Sequence, residues 1–326
     1  MKTAVDMLIH RISDEQLDRW SADFIPDSEP YFFQAADLVH ALLRQGYRVY
    51  TRAEIADANP GFAVRYGYAY NLWELPSDVW IVQLDERDRQ SLDAAIRQDL
   101  MFEQVRLRRG QVYSLSWIRS LQEDGDFSSA LPALDVGEVN GQAHVLLTPA
   151  LWTTLSVQDQ RAWMRKWVAD ALDDVEVAEV DLPDLPEEHR HTLSRYTGHF
   201  AQAHGANCFA ATLAMASGSL TMANRIISLW LHAGPFMRSL AALGYEQIDN
   251  VDATEFATKL RPLDICVWRN REGTLIHAAF CVSETHVFNK MGQSREQPWL
   301  VIPVRQVIDY AGVVTSGGHI EIYRKM

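Results

Sequence analysis

The sequence predicts an α+β protein in two domains, and three observations lead there. Helix signatures with capping residues alternate with short β-branched runs through the first half. An acidic, proline-bearing stretch interrupts the chain near residue 185. Beyond it, an apolar helix opening at Cys208 precedes a series of apolar strand runs. At 326 residues the chain exceeds one ordinary small domain and is long enough to bury substantial cores. Hydrophobic residues make up 48% and charged residues 22%, the composition of a packed globular protein rather than a disordered one.

In chain order, Ser13 with Gln16 forms a capping box that opens a short helix to Trp20, and Tyr31 to Arg44 reads as a longer amphipathic helix. Tyr47 and Val49, then Tyr66, Tyr68 and Tyr70, stand at alternate positions as strand residues do. Val79 to Leu84 is a β-branched run that ends in an acidic helix start at Asp85. Val112 to Trp117 and His144 to Leu147 are further strand candidates, and Ser156 to Leu172 has helical spacing. This half contains no repeat and no chemical motif. His10 and His40 on apolar helical faces, and His144 opening a strand, read as core or partly buried histidines. Its role is open among gating a cleft, recognising substrate and binding a protein partner.

The interruption consists of Asp173, Asp174, Glu176, Glu179, Asp181, Pro183, Asp184, Pro186, Glu187 and Glu188. So many carboxylates resist burial, so the stretch reads as a linker. The expected domains are therefore residues 1–185, a mixed α/β domain ending in this linker, and residues 186–326.

A net charge of -13, from 43 acidic against 30 basic side chains, repels phosphate backbones and anionic membranes. Arg106, Arg108 and Arg109 make the only dense basic stretch and read as a solvated face. Nucleic acid is not an expected partner. The first eleven residues lack the apolar run of a secretory signal. Ile226 to Leu243 is broken by His232, Gly234, Pro235 and Arg238, as two packed helices with a turn would be, not a membrane span. A cytoplasmic protein is expected. Cys208, Cys266 and Cys281 are an odd number without a secretory signal, which predicts free thiols, with Cys266 and Cys281 as inert core residues. His199 and His204 beside Cys208 lack the paired spacing of a zinc site, so no metal or other cofactor is expected.

The chemistry centres on Cys208. It opens a helix just after the glycine-containing loop His204-Gly205-Ala206, where unsatisfied amides and the helix dipole favour thiolate over thiol. A thiolate needs a base, and His277 lies in the strand run Thr274 to Val282, from which it is expected to project toward the Cys208 helix. Asn289 follows twelve residues later, past a turn at Ser283-Glu284-Thr285, and is placed to orient the imidazole. His286 is its rival, three residues away and so on the opposite strand face.

At these residues the sequence resembles the NlpC/P60 group of papain-like cysteine peptidases, over residues 196–324. In that family a Tyr precedes the nucleophile by twelve residues, an Asp often stands just before it, and the base is followed twelve residues later by His, Asn or Gln. Tyr196, Asn207, Cys208, His277 and Asn289 occupy those positions here. Arg261 to Trp268 is similar to the family's Pro-Gly-Asp strand, with Leu263 in place of the glycine. Asn207 for Asp and Phe209-Ala210 for Ser-Gly also depart from the pattern, so the resemblance is to a divergent branch. Muramyl-peptide specificity does not carry over.

The resemblance implies a papain-like domain with a Cys-bearing helix packed on an antiparallel sheet. It further implies a cysteine peptidase or amidase acting on a peptide or amide bond through Cys208, His277 and Asn289. Tyr196 in the family geometry, or Gln202 at the papain spacing, would join the Cys208 amide around the oxyanion, an effect worth roughly a hundredfold in rate. An acyltransferase using the same Cys and His, and a catalytically inactive binding module, are the alternatives. Lys290, Gly292 and Gln293 read as a loop beside the site, and His319, at the start of the closing strand, as a solvent-facing or edge residue.

Overall fold

Side-chain caps fix where many of the helices begin, and strand pairing decides several segments whose local pattern is ambiguous. The computed structural model describes residues 4–59, 61–62, 66–67, 70, 72, 75–121, 136–173, 175–176, 185–251, 259–311 and 318–326. They fall in two units, Asp14–Lys166 and Met1–Ser13 with Trp167–Met326. This division and the acidic stretch at 173–188 lie at different places in the chain. Of that stretch, Asp174, Glu179, Asp181, Pro183 and Asp184 lie outside the described residues, and Glu187 and Glu188 begin a helix.

The second unit opens with α1 (Ala4–Ile9). The first contains α2 (Asp14–Ala22), β1 (Ser28–Phe33), α3 (Ala36–Arg44), β2 (Val49–Thr51), α4 (Arg52–Ala58), β3 (Trp80–Asp85), α5 (Glu86–Ser91) and α6 (Ala94–Leu107). It continues through β4 (Val112–Ser114), α7 (Leu115–Ser120), β5 (Val136–Val139), β6 (Gln142–Leu146), α8 (Pro149–Thr154) and most of α9 (Val157–Ala171). Its strands form two antiparallel sheets, ordered β1-β3-β2 and β4-β6-β5. Thr51 with Glu54, and Asp85 with Asp88, are capping boxes for α4 and α5. Ser114 caps α7, which ends the strand expected to reach Trp117 after three residues.

Three other expectations are corrected here. Tyr31 is in β1, not a helix, because Tyr31, Phe32 and Phe33 pair with Val82, Ile81 and Trp80 and bury all three rings. The amide of Gln104 on α6 completes β1's exposed edge, accepting from Phe32 N at 3.0 Å and donating to Phe32 O at 2.7 Å. The tyrosines at 66 and 70 form a helical turn instead of a strand. Tyr70 N donates to Tyr66 O, and the rings meet edge-on at 5.9 Å; Tyr68 lies outside the described residues. His10 and His40 are exposed and His144 half-buried, so the first two do not serve the core.

Glu29 is the unusual group of this unit. The hydroxyls of Tyr31 and Tyr70 donate to it at 3.2 and 3.1 Å, but its burial outweighs them and pushes its pKa from 4.5 to about 7. The folded chain then holds this proton more tightly than the unfolded chain does. Its contribution is complete below pH 4.5 and is lost as pH rises to about 7. We expect Glu29→Gln to remove about 3 kcal/mol of destabilisation across that window. Urea unfolding of both proteins at pH 4.5 and 8 measures this; identical pH dependence would refute it.

The second unit continues from α9 through α10 (Glu187–Tyr196), α11 (Cys208–Ala216), α12 (Leu220–Ile226), α13 (Ala233–Ala242), β7 (Tyr245–Val251), β8 (Ile265–Arg269) and β9 (Leu275–Cys281). It ends with β10 (His286–Lys290), β11 (Trp299–Pro303), α14 (Val304–Ala311) and β12 (His319–Lys325). Six antiparallel strands are ordered β11-β10-β9-β8-β12-β7. β12 is therefore interior to the sheet, not an edge, because β7 covers its outer side. Every residue of α11 is buried. Its alanines at 210, 211 and 214 have no bulk to hold the helix off the sheet, and it shares a core with Ala278, Phe280 and Phe288. Phe209 stacks on Phe236 at 5.1 Å. No described helix is long and apolar enough to cross a membrane.

Leu263, at the position that resembles the family's glycine, has a φ of 75°. A side chain there is strained by about 1–2 kcal/mol. Leu263→Gly is expected to be about 1 kcal/mol more stable than Leu263→Ala, since both lose the leucine packing and only one keeps the strain. Thermal unfolding of the two variants compares them directly; an alanine variant as stable as the glycine one would remove strain from the account.

Candidate active site

The loop that delivers Cys208 is tied to the segment following β10. Gly198 N donates to Trp299 O, Trp299 N to His199 O, Gly205 N to Gln293 O, and Arg295 N to His204 Nδ1. Gly205, with φ 118°, makes the turn that a larger residue would strain. Asn207 then caps α11: its Oδ1 accepts from Ala210 N at 3.0 Å, and its Nδ2 donates to Leu231 O at 2.8 Å. The same side chain thus caps α11 and, through its amide, fixes the loop before α13.

Cys208 is the first residue of α11 and is 9% exposed. Its sulfur is approached by the backbone N–H groups of Ala278, of Phe209 and of Cys208 itself. Burial nonetheless raises the thiol to about pKa 11. The lowering expected from the helix terminus is thus overridden, because desolvation of a thiolate costs more than three amides return.

His277 and Asn289 meet, as their spacing suggests. His277 Nε2 is 2.9 Å from Asn289 Oδ1, and both residues are buried. Asn289 Nδ2 faces Met291 Sδ at 2.9 Å, an arrangement that leaves Oδ1 to accept. The proton is then on Nε2, and Nδ1 carries the basic lone pair. Burial drives the His277 pKa down to about 4, against the opposing effect of the Asn289 bond. His286 turns elsewhere, with Nδ1 2.9 Å from Thr285 Oγ1.

One part of the expected geometry differs. Ala278, Phe280 and Phe288 join the core beneath α11, so strand alternation turns His277 and Asn289 to the other side of β9 and β10, beside Trp268 at 5.6 Å. The thiol thus meets β9 at the Ala278 N–H, one residue from His277, rather than by the imidazole facing the helix. The oxyanion candidates lie further out. Tyr196 donates its hydroxyl to Asn224 Oδ1 and packs edge-on against Trp299 at 5.7 Å, while Gln202 is exposed in the loop.

Lys290, expected in a loop, is instead the last residue of β10 and fully buried. Its Nζ donates to Gly292 O at 2.9 Å and Ser294 O at 2.7 Å, which closes the following loop around it. Burial lowers its pKa to about 7, against the opposing influence of the nearby Glu296 carboxyl and Cys208 thiol. Extending the period-2 pattern from Phe288 by one step would have placed it on the core face. On the Asn289 side, Met291 also lines a cavity of about 530 Å³ with Val175, Glu176, Gln297, Arg305 and Asp309, where Arg305 pairs with Glu176 at 2.8 Å. Among the described residues no three His, Cys, Asp or Glu side chains gather as a metal site would require.

The chain is α+β with antiparallel sheets throughout the described strands. No family model matches it, and neither a curated protein nor a solved structure does.

Proposed function

We propose that the second unit is a papain-like cysteine hydrolase, of peptidase or amidase type, in which Cys208 is the nucleophile and His277 its base. The observation that carries this is the His277–Asn289 bond of 2.9 Å, which holds the tautomer with a basic Nδ1, next to the β9 amide that reaches Cys208 sulfur at a helix N-terminus. With the thiol near 11 and the imidazole near 4, the resting pair is neutral. In this reading the His277 imidazole turns from the far side of β9 toward the sulfur when substrate arrives, and then acts as a general base, taking the thiol proton as sulfur attacks the carbonyl. The same proton goes to the leaving amine, and water releases the acyl group. The Cys208 amide, with Tyr196 or Gln202 after rearrangement, supplies the oxyanion donors.

A second reading is favoured by a specific observation. Burial of both the thiol and the imidazole, with His277 turned away from α11, suits an inactive papain-like binding module. Incubation with 4-nitrophenyl acetate, followed by mass mapping, separates the readings. A hydrolase acetylates Cys208 preferentially and then loses the acetyl group to water; an acyltransferase passes it faster to added glycinamide. Equal, slow labelling of all three cysteines would leave only the binding module.

A further inference from the structure

We propose that Cys266 and Cys281 form a cross-strand disulfide when the chain meets a low-molecular-weight disulfide such as glutathione disulfide. The two residues lie on adjacent strands, β8 and β9. Cys266 stands opposite Ala279, and Cys281, two residues along, donates its backbone N–H to Asp264 O at 2.8 Å. That diagonal puts both side chains on one face of the sheet. Their sulfurs are 3.2 Å apart, inside ordinary contact for two sulfur atoms, and both residues are wholly buried. The backbone hydrogen bonds on either side hold the pair in register; a diagonal pair has its Cα atoms about 7–8 Å apart, wider than an unstrained disulfide, so bond formation needs the two strands to draw together as well as the side chains to rotate.

This changes the expectation of two inert core thiols. Each is inert toward bulk reagents in the closed sheet, and the partner they are held against is each other. The chemistry balances as thiol–disulfide exchange. One cysteine thiolate attacks glutathione disulfide, forming a mixed disulfide and releasing one glutathione thiolate. The second cysteine attacks the protein sulfur of that bond and releases the second glutathione. Two protein thiols lose two protons and two electrons in all, and one glutathione disulfide becomes two glutathione molecules. Because both sulfurs are buried, exchange takes place as the sheet opens or before it closes. Cys208, in another element and bonded toward Ala278, is left as the remaining thiol.

The experiment is to unfold the reduced full chain, refold it with a glutathione disulfide and glutathione mixture, alkylate it in denaturant and map the peptides. The expected result is an intact mass two hydrogens lighter before alkylation, joined peptides containing Cys266 and Cys281, and alkylation at Cys208 alone. In Cys266→Ala treated in the same way, Cys281 should be recovered alkylated. Recovery of all three cysteines alkylated or singly glutathionylated in the wild type, or a crosslink that includes Cys208, would overturn the assignment. The wild-type map decides the matter even if the variant does not fold.

Discussion

Arg324→Met is expected to destabilise the second unit by about 3–5 kcal/mol. Asp264 is 1% exposed and accepts two bonds from Arg324, from Nε and Nη2 at 2.7 Å each, besides one from Arg261 N at 2.9 Å. The guanidinium fork matches both carboxylate oxygens, and the bond to Asp264 holds the Arg324 pKa above its usual value. Methionine has similar length and no donor, so the substitution leaves a buried charge with a single amide. The large cost comes from stranding that charge, and Arg324→Met with Asp264→Asn should therefore recover part of it. Urea unfolding of the two single variants and the double variant tests this. A loss below about 1 kcal/mol in Arg324→Met would show that the pair behaves like a solvated surface bridge.

The second large effect is on reactivity. If His277 is a neutral base at rest, acylation of Cys208 by 4-nitrophenyl acetate should rise with pH through about 4, as the imidazole loses its proton, and stay level to about pH 9. An ion pair formed before substrate arrives would instead lose activity as the imidazolium deprotonates near neutrality. His277→Ala is expected to lower the rate at pH 7 by about 10²–10⁴-fold and to abolish the acid limb. Asn289→Leu should move that limb to lower pH, because the Asn289 bond is what raises the His277 pKa against burial. A rate that follows ordinary thiol ionisation equally in all three proteins would end the catalytic reading.

Much of the second unit was legible from local pattern. The start of α11 was marked by a glycine-containing loop before an apolar run, and the structure adds Asn207 as its cap. The strand runs around His277 and His286 appear as β9 and β10, and a twelve-residue interval across a short turn brings His277 to Asn289. In the first unit, the run ending at Asp85 and the helix after Ser156 were equally plain. Period and capping are properties of neighbouring residues, so the chain states them without its fold.

Other features depended on what each segment meets. Tyr31 to Phe33 fit a helical face as well as a strand until pairing with β3 and the amide of Gln104 decided it. Tyr66 and Tyr70 kept both a period of two and a period of four, and the ring contact across one turn chose the latter. The ionisation of the candidate site was not written in spacing at all. A helix terminus lowers a thiol pKa locally, whereas burial against β9 raises it by more, and burial is a sum over residues distant in sequence. By itself the sequence determined where several helices begin and which residues alternate in β9 and β10; only the tertiary structure decided strand register and which residues were dehydrated, because both depend on everything packed around them.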